Sequence, residues 1–502
     1  MATLHFFWKK NDELRNISYL CHENKTTKNY LIKMKLNAHH RLFQVNTNGY
    51  TAAIVLITAC FVLWGFANNI TNPMVNSFSK IFRISTTEAS LVTVVFNLGY
   101  FCMAFPAALL IQRYSYKWGV MVGLALYALG ALLFIPGRWM GAFYPFLGFY
   151  FVMTCGLSFL ETSCNPYIYS LGSEKTAVQR LNSSQAFNAL GSIVGMLLAI
   201  SVQSHISPMD SKMRMELPKA QFDIIKDHDL GVLIQPYIYI GALVILVLVL
   251  IALSKMPQDT DIRTNKGALR ILKELWHFPN YREGVIALFF YTGAQVACWS
   301  FIINYGMRVF MAEGMSEQSA ELVAQKYNIL AMVLFASGRF LCTWLMYWFA
   351  PSRLLSTLGI IGVVALMGTV FFTDRNGVYC LVAVSGCLSL MFPTIYGIAL
   401  TGVGENIKIA GAGLIMAILG GSFFPPIQAA IIQSRLSILG LPATNVSFLI
   451  PMMCLGVVIW YAHRSYVRRH IHLYGTDTPF QFKDETLPVA VSDRSASPES
   501  AE

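Results

Sequence analysis

Charge is what this sequence has least of. Only 13% of its 502 residues are Asp, Glu, Lys or Arg, while 55% are hydrophobic. A soluble domain carries roughly a quarter of its residues as charges. The polar atoms needed to cover a water-facing surface are too few, so lipid must cover much of it. Acids are scarcer than bases, 26 against 37, which leaves a net charge of +11. That balance does not point to nucleic acid, because the cations sit in loops and tails between apolar runs, where they act as topology signals. A Cys-x-x-Cys pair is missing, and nine of the ten cysteines (all but Cys21) lie inside apolar runs. A disulfide framework or thiolate metal site is thereby disfavoured, and the cysteines read as small packing residues. No nucleophile–base set and no cluster of metal ligands occurs in the apolar runs, so neither an enzyme nor a cofactor is expected. Residues 1–50 lack the apolar core and small-residue cleavage site of a secretory leader. Residues 475–502, with Pro488, Pro498 and several serines, are expected to be disordered.

Long apolar runs are what the sequence has in abundance. A bilayer core of roughly 30 Å takes about 20 helical residues at 1.5 Å each. Runs of that kind fall near 51–79, 87–112, 118–136, 143–170, 178–206 and 234–254. Six more fall near 284–311, 322–349, 354–373, 377–402, 409–434 and 447–463. Lipid-exposed backbone must satisfy its own hydrogen bonds, so these are helices rather than strands. The class is an all-α membrane protein of twelve spans. A polar stretch over 255–283, with Lys255, Arg263, Lys266, Arg270, Lys273 and Arg282, divides them six and six. The expected parts are an N-terminal tail (1–50), a first half (51–254), a linker (255–283), a second half (284–463) and a C-terminal tail (464–502). Lys and Arg concentrate in the tails, the linker and the loops on the same side, so both termini are expected in the cytoplasm. Arg113, Lys117, Arg339 and Arg353, at helix ends on that side, read as such signals.

The halves echo each other. Gly65 answers Gly293, Pro166 in NPYIYSLG answers Pro393 in FPTIYGIAL, and Gly191 answers Gly420, at offsets of 228, 227 and 229. Three anchors at nearly one offset suggest a parallel repeat. Gly411, Gly413, Gly420 and Gly421, followed by Pro425 and Pro426, loosen the eleventh run, either as a flexing site or as a static kink. Asn445-Val-Ser447 fits a glycosylation tripeptide but lies close to the membrane.

Polar groups inside hydrocarbon are costly, so their positions carry functional information. Glu161 lies deep in the fourth run and is the outstanding case. Desolvation there favours its protonated form, which suits a group that takes up and gives back a proton as water access changes. The bland alternative is a neutral Glu that only joins helices. The first run carries Asn68, Asn69, Thr71, Asn72 and Asn76, of which 69, 72 and 76 share a helical face. The fifth offers Gln185 and Asn188, the seventh Gln295, Trp299 and Asn304, and the fourth Asn165. Carboxamides donate and accept, as a polyhydroxylated ligand requires. An indole face stacks on the C–H side of a sugar. Amides also join helices in membrane bundles, which is the competing reading for each one.

ANNITNP (67–73), LETSCNP (160–166), RLNSSQAFN (180–188) and GAQVACWS (293–300) resemble the L-fucose:proton symporter family of the major facilitator superfamily. GRFLCTWL (338–345) and FPTIYGIAL (392–400) fit the same pattern, and the resemblance runs from about residue 55 to 460. It implies a proton-coupled importer of a monosaccharide such as fucose, galactose or glucose, working by alternating access. It places the family's acidic residue on Glu161 and its sugar-facing amides on Asn69, Gln185 and Asn188. Asn72 stands where the family motif commonly has a second carboxylate, Phe392 where it tends to have Tyr, and Asn304 where it has a basic residue. The expected partners are sugar, protons and the bilayer, with no nucleic acid, in a monomer of the plasma membrane. A facilitative uniporter and a transporter-like sugar sensor are the alternatives.

Overall fold

The computed structural model describes residues 50–474 apart from 85, 90, 172–175, 208, 210, 255, 257–267 and 435–439, and for 50–53, 71–76, 86–87, 93, 211–212, 268, 318, 405 and 469–474 the backbone alone. Residues 1–49 and 475–502 of the tails, and 255 and 257–267 of the linker, therefore lie outside the described residues. Eleven helices among these residues are long and apolar enough to cross a bilayer. The first span, Tyr50–Phe82, is 33 residues long. The asparagine cluster lies in its second half. The second to sixth spans are Leu91–Arg113, Tyr116–Met140, Phe143–Ser170, Ala177–His205 and Lys219–Leu253. The seventh to twelfth are Pro279–Ala312, Glu317–Leu345, Pro351–Phe371, Arg375–Leu400, Ile407–Gln433 and Ala443–Arg468. No strand occurs among the described residues.

The repeat anchors mark equivalent interfaces. Gly65 packs against the backbone of Asn188 and Gly191 against that of Val62, so a side chain at either would collide with the opposite helix and force the first and fifth spans apart. In the second half, Gly293 packs on Phe424 and Gly420 on the backbone of Phe289, which sets the seventh span against the eleventh in the same way. Small residues let helices approach closely where lipid gives no hydrophobic drive to associate. In the eleventh span a 3-10 turn, Ala417–Leu419, separates Ile407–Met416 from Gly420–Gln433. The tenth is interrupted at Ser389 and Leu390. Pro393 has no N–H to offer the Ser389 carbonyl one turn back.

The linker ends of the spans are where the halves meet. Gln179 donates to the Thr343 carbonyl (3.3 Å) and Asn182 to the Thr394 hydroxyl (3.2 Å). Tyr169 and Thr401 hydroxyls pair at 3.4 Å, and the Lys408 ammonium sits 5.0 Å from the centre of the Tyr116 ring. Arg180 is fully buried and donates to the carbonyls of Ile168 and Tyr169, in the last turn of the fourth span. It satisfies acceptors that a helix C-terminus leaves open.

The far ends are fastened within each half. Arg214, in the short helix Ser211–Glu216, and Asp229 form an ion pair at 2.6 Å with both side chains fully buried. Ser207 adds a backbone and a hydroxyl bond to the same carboxylate. Arg138 pairs with Asp227 at the surface. In the second half Asn445 is buried, donates to Thr369, Val370 and Phe372 carbonyls and accepts from Arg308. The glycosylation tripeptide is therefore a structural knot whose asparagine has no free nitrogen for a glycan.

Candidate functional site

Glu161 lies nine residues before the end of the fourth helix, Phe143–Ser170. It is 1% exposed, and neither carboxyl oxygen has a hydrogen-bond partner. No Lys or Arg pairs with it among the described residues. An ionised carboxylate left in that state costs far more than a protonated one, since burial without partners penalises charge most. The helix carries its polar side chains on several neighbours: Ser158 donates to the Tyr100 carbonyl of the second span at 3.1 Å. One turn after Glu161, Asn165 accepts a 2.8 Å bond from the Gln185 amide of the fifth span. Its own amide nitrogen is buried without a partner.

Asn188, one turn after Gln185, is half-buried and donates to the Phe61 carbonyl at 3.3 Å. Asn69, also half-buried, donates to the Gly65 carbonyl one turn back. Each of these amides thus uses its nitrogen on a helix backbone. Asn68 accepts from the Tyr100 hydroxyl at 3.2 Å. The side chain of Asn72 lies outside the described residues.

The second half answers with a stack. The Arg339 guanidinium lies over the Phe335 ring, 4.5 Å from its centre. Phe335 meets the Trp299 indole edge to face at 4.9 Å. The indole nitrogen of Trp299 is buried without a partner. Gln295, one turn before Trp299, is half-buried on the same helix, whereas Asn304 is exposed and stands apart from the cluster.

Arg339 corrects the expectation that it is a surface topology signal. It is 3% exposed, its Nε donates to the Ser389 carbonyl at 2.5 Å, and an Nη1 bond of 3.1 Å reaches the Gln185 carbonyl across the interface. The carbonyl that Pro393 leaves open is the one it takes. Six residues before its helix ends, an Arg looks like an anchor; its spacing of four from Phe335 was the available sign of an inward position. Tyr100 and Asn182 also escaped sequence reasoning, because single polar side chains in apolar runs are ordinary.

Amides and a lone carboxyl from the first, fourth and fifth spans are thus joined, through the Arg339 bond to the Gln185 carbonyl, to an aromatic stack from the seventh and eighth. Two helical halves in contact at the linker end, with polar side chains buried between them, are the architecture of a membrane solute carrier. Comparison with known proteins agrees: the Major Facilitator Superfamily model matches residues 57–426, and the chain belongs to that family. It is 42% identical to the L-fucose-proton symporter of Haemophilus influenzae, over 83% of this chain and 97% of that one. It is 32% identical to the L-fucose-proton symporter of Escherichia coli, over 83% and 93%. The glucose/galactose transporter of Brucella abortus is 29% identical, over 82% and 93%. Among solved structures it resembles FucP in the outward conformation, with a TM-score of 0.73 at 30% identity over 82% of this chain and 98% of that one.

Proposed function

We propose that this protein moves a monosaccharide, L-fucose or a related hexose, across the plasma membrane together with a proton. The observation that carries the reading is Glu161, a buried carboxyl without a cationic partner, set one turn from the Asn165–Gln185 amide pair. Residues 51–254 and 284–463 act as the two moving halves, joined by the linker 255–283. Both termini are cytoplasmic, so the closed linker end is the inner gate and the cleft opens outward. Sugar binds between Asn69, Asn72, Asn165, Gln185 and Asn188 on one side and Gln295 and Trp299 on the other. Asn304, exposed at the outer end of its helix, serves the entrance. Rocking of the halves then opens the inner end, and the protein works as a monomer in the bilayer.

The test is uptake of radiolabelled L-fucose, galactose and glucose into proteoliposomes with and without an imposed inward proton gradient. Wild type should concentrate at least one of them under the gradient. Glu161→Gln keeps a hydrogen-bonding amide but cannot release a proton, so it should exchange sugar and fail to concentrate it. A wild type that equilibrates sugar yet never concentrates it is a uniporter, the reading that Asn72 favours by removing a second carboxylate. A variant that concentrates sugar as well as wild type removes Glu161 from the proton path.

A further inference from the structure

Tyr396 belongs to the tenth span, in the opposite half from Glu161. Its side chain is fully buried, and its hydroxyl has no hydrogen-bond partner. A Cβ placed on Gly411 would stand 2.7 Å from that hydroxyl and 3.6 Å from the ring of Pro166. The hydroxyl therefore lies where the tenth and eleventh spans meet the fourth, five residues from Glu161 along that helix. Tyr396 and Glu161 are within electrostatic reach of each other. Two orphaned buried polar groups from opposite halves thus share one closed interface.

Apart from the unpartnered nitrogens of Asn165 and Trp64 and the Thr162 hydroxyl, the groups around the fourth span are committed as follows. From the first, Cys60 lies beside Cys164, which itself interacts with Glu161. From the second, Tyr100 interacts with Glu161 but donates its proton to Asn68. From the third, Tyr127 donates to the Leu63 carbonyl and Tyr116 stacks near Tyr167. From the fifth, Arg180 is held on the carbonyls of Ile168 and Tyr169, and from the eleventh, Lys408 lies over Tyr116.

We infer that Tyr396 is a positioning residue for the proton step: its hydroxyl is the polar neighbour that Glu161 keeps only while the inner gate is closed. One bridging water between hydroxyl and carboxyl satisfies both orphans, as buried waters commonly do. When the tenth and eleventh spans leave the fourth, the hydroxyl departs and bulk water enters. The Glu161 O–H bond breaks, its proton passes to that water, and the electron pair stays on the carboxylate. The inference rests on the proton-coupled reading above.

Counterflow of radiolabelled L-fucose, recorded over pH from about 5 to 9, tests it in proteoliposomes holding wild type, Tyr396→Phe or Gly411→Ala. The phenylalanine keeps the ring that fills the interface and loses only the hydroxyl, whose water bridge favours the protonated carboxyl. Its counterflow at acidic pH should match wild type, while the alkaline limb moves down by about one pH unit, the scale of one lost hydrogen bond. Gly411→Ala, whose methyl crowds the hydroxyl, should shift the limb in the same direction. If Tyr396→Phe fails to reach the membrane, Gly411→Ala decides alone. A pH profile unmoved in every variant that reaches the membrane overturns the role of Tyr396. Wild-type counterflow indifferent to pH sinks the symport reading itself.

Discussion

Gln185 does two things at once: its side chain holds Asn165, and its backbone carbonyl receives Arg339 from the other half. Truncating the side chain removes the first and leaves the second. Gln185→Ala, and likewise Asn188→Ala, should weaken equilibrium sugar binding by about 0.5–1.5 kcal/mol, the net worth of one hydrogen bond, with normal delivery to the membrane. Titration calorimetry on purified protein measures it, and undiminished affinity in both variants would make these amides helix joiners only. At this scale the sequence was legible where a residue type was out of place. Glu161 stood alone in its run. Arg339 did not stand out, since an Arg near a helix end is what any inner loop supplies, and its inward turn is explained by the Ser389 carbonyl that Pro393 exposes and by the Gln185 carbonyl across the interface. Tyr396 was silent for the opposite reason: Tyr is common in apolar helices, and its orphaned hydroxyl is visible only in three dimensions.

Among the elements, the long helices were readable because twenty apolar residues admit one solution in lipid. The interruptions were less so. Glycines and prolines announced looseness in the eleventh span, but not the 3-10 turn at Ala417–Leu419, which immediately precedes the close approach of Gly420 to the seventh. The connection between the fifth and sixth spans buries the Arg214–Asp229 pair completely. Removing one member of such a pair strands the other charge, at about 3–5 kcal/mol. Arg214→Ala should therefore lower the melting temperature in detergent clearly, and an unchanged melting curve would show that water reaches Asp229 freely.

For the molecule as a whole, the fold followed from the repeat offsets, because Gly65 with Gly191 and Gly293 with Gly420 seat equivalent helix pairs. Which end was closed did not follow, since closure depends on contacts between halves that no periodicity encodes. Those contacts offer a direct test of rocking. A Cβ on Gly397 would lie 3.4 Å from the Cβ of Val178, close to disulfide spacing. Oxidised Val178→Cys/Gly397→Cys protein should bind sugar from outside yet show no counterflow until a reductant is added. Full counterflow with the crosslink verified by mass spectrometry would mean that the linker ends need not separate.

The sixth helix, Lys219–Leu253, has 35 residues, about 52 Å at the helical rise and well beyond a bilayer core of roughly 30 Å. Its first turns are pinned by Asp227 to Arg138 and by Asp229 to the buried Arg214. A 56.0 kDa protein wrapped in a detergent belt offers an electron microscope little to align on. This braced stump is a natural epitope: an antibody fragment seated on it would move rigidly with the first half and supply the fiducial mass that particle images need.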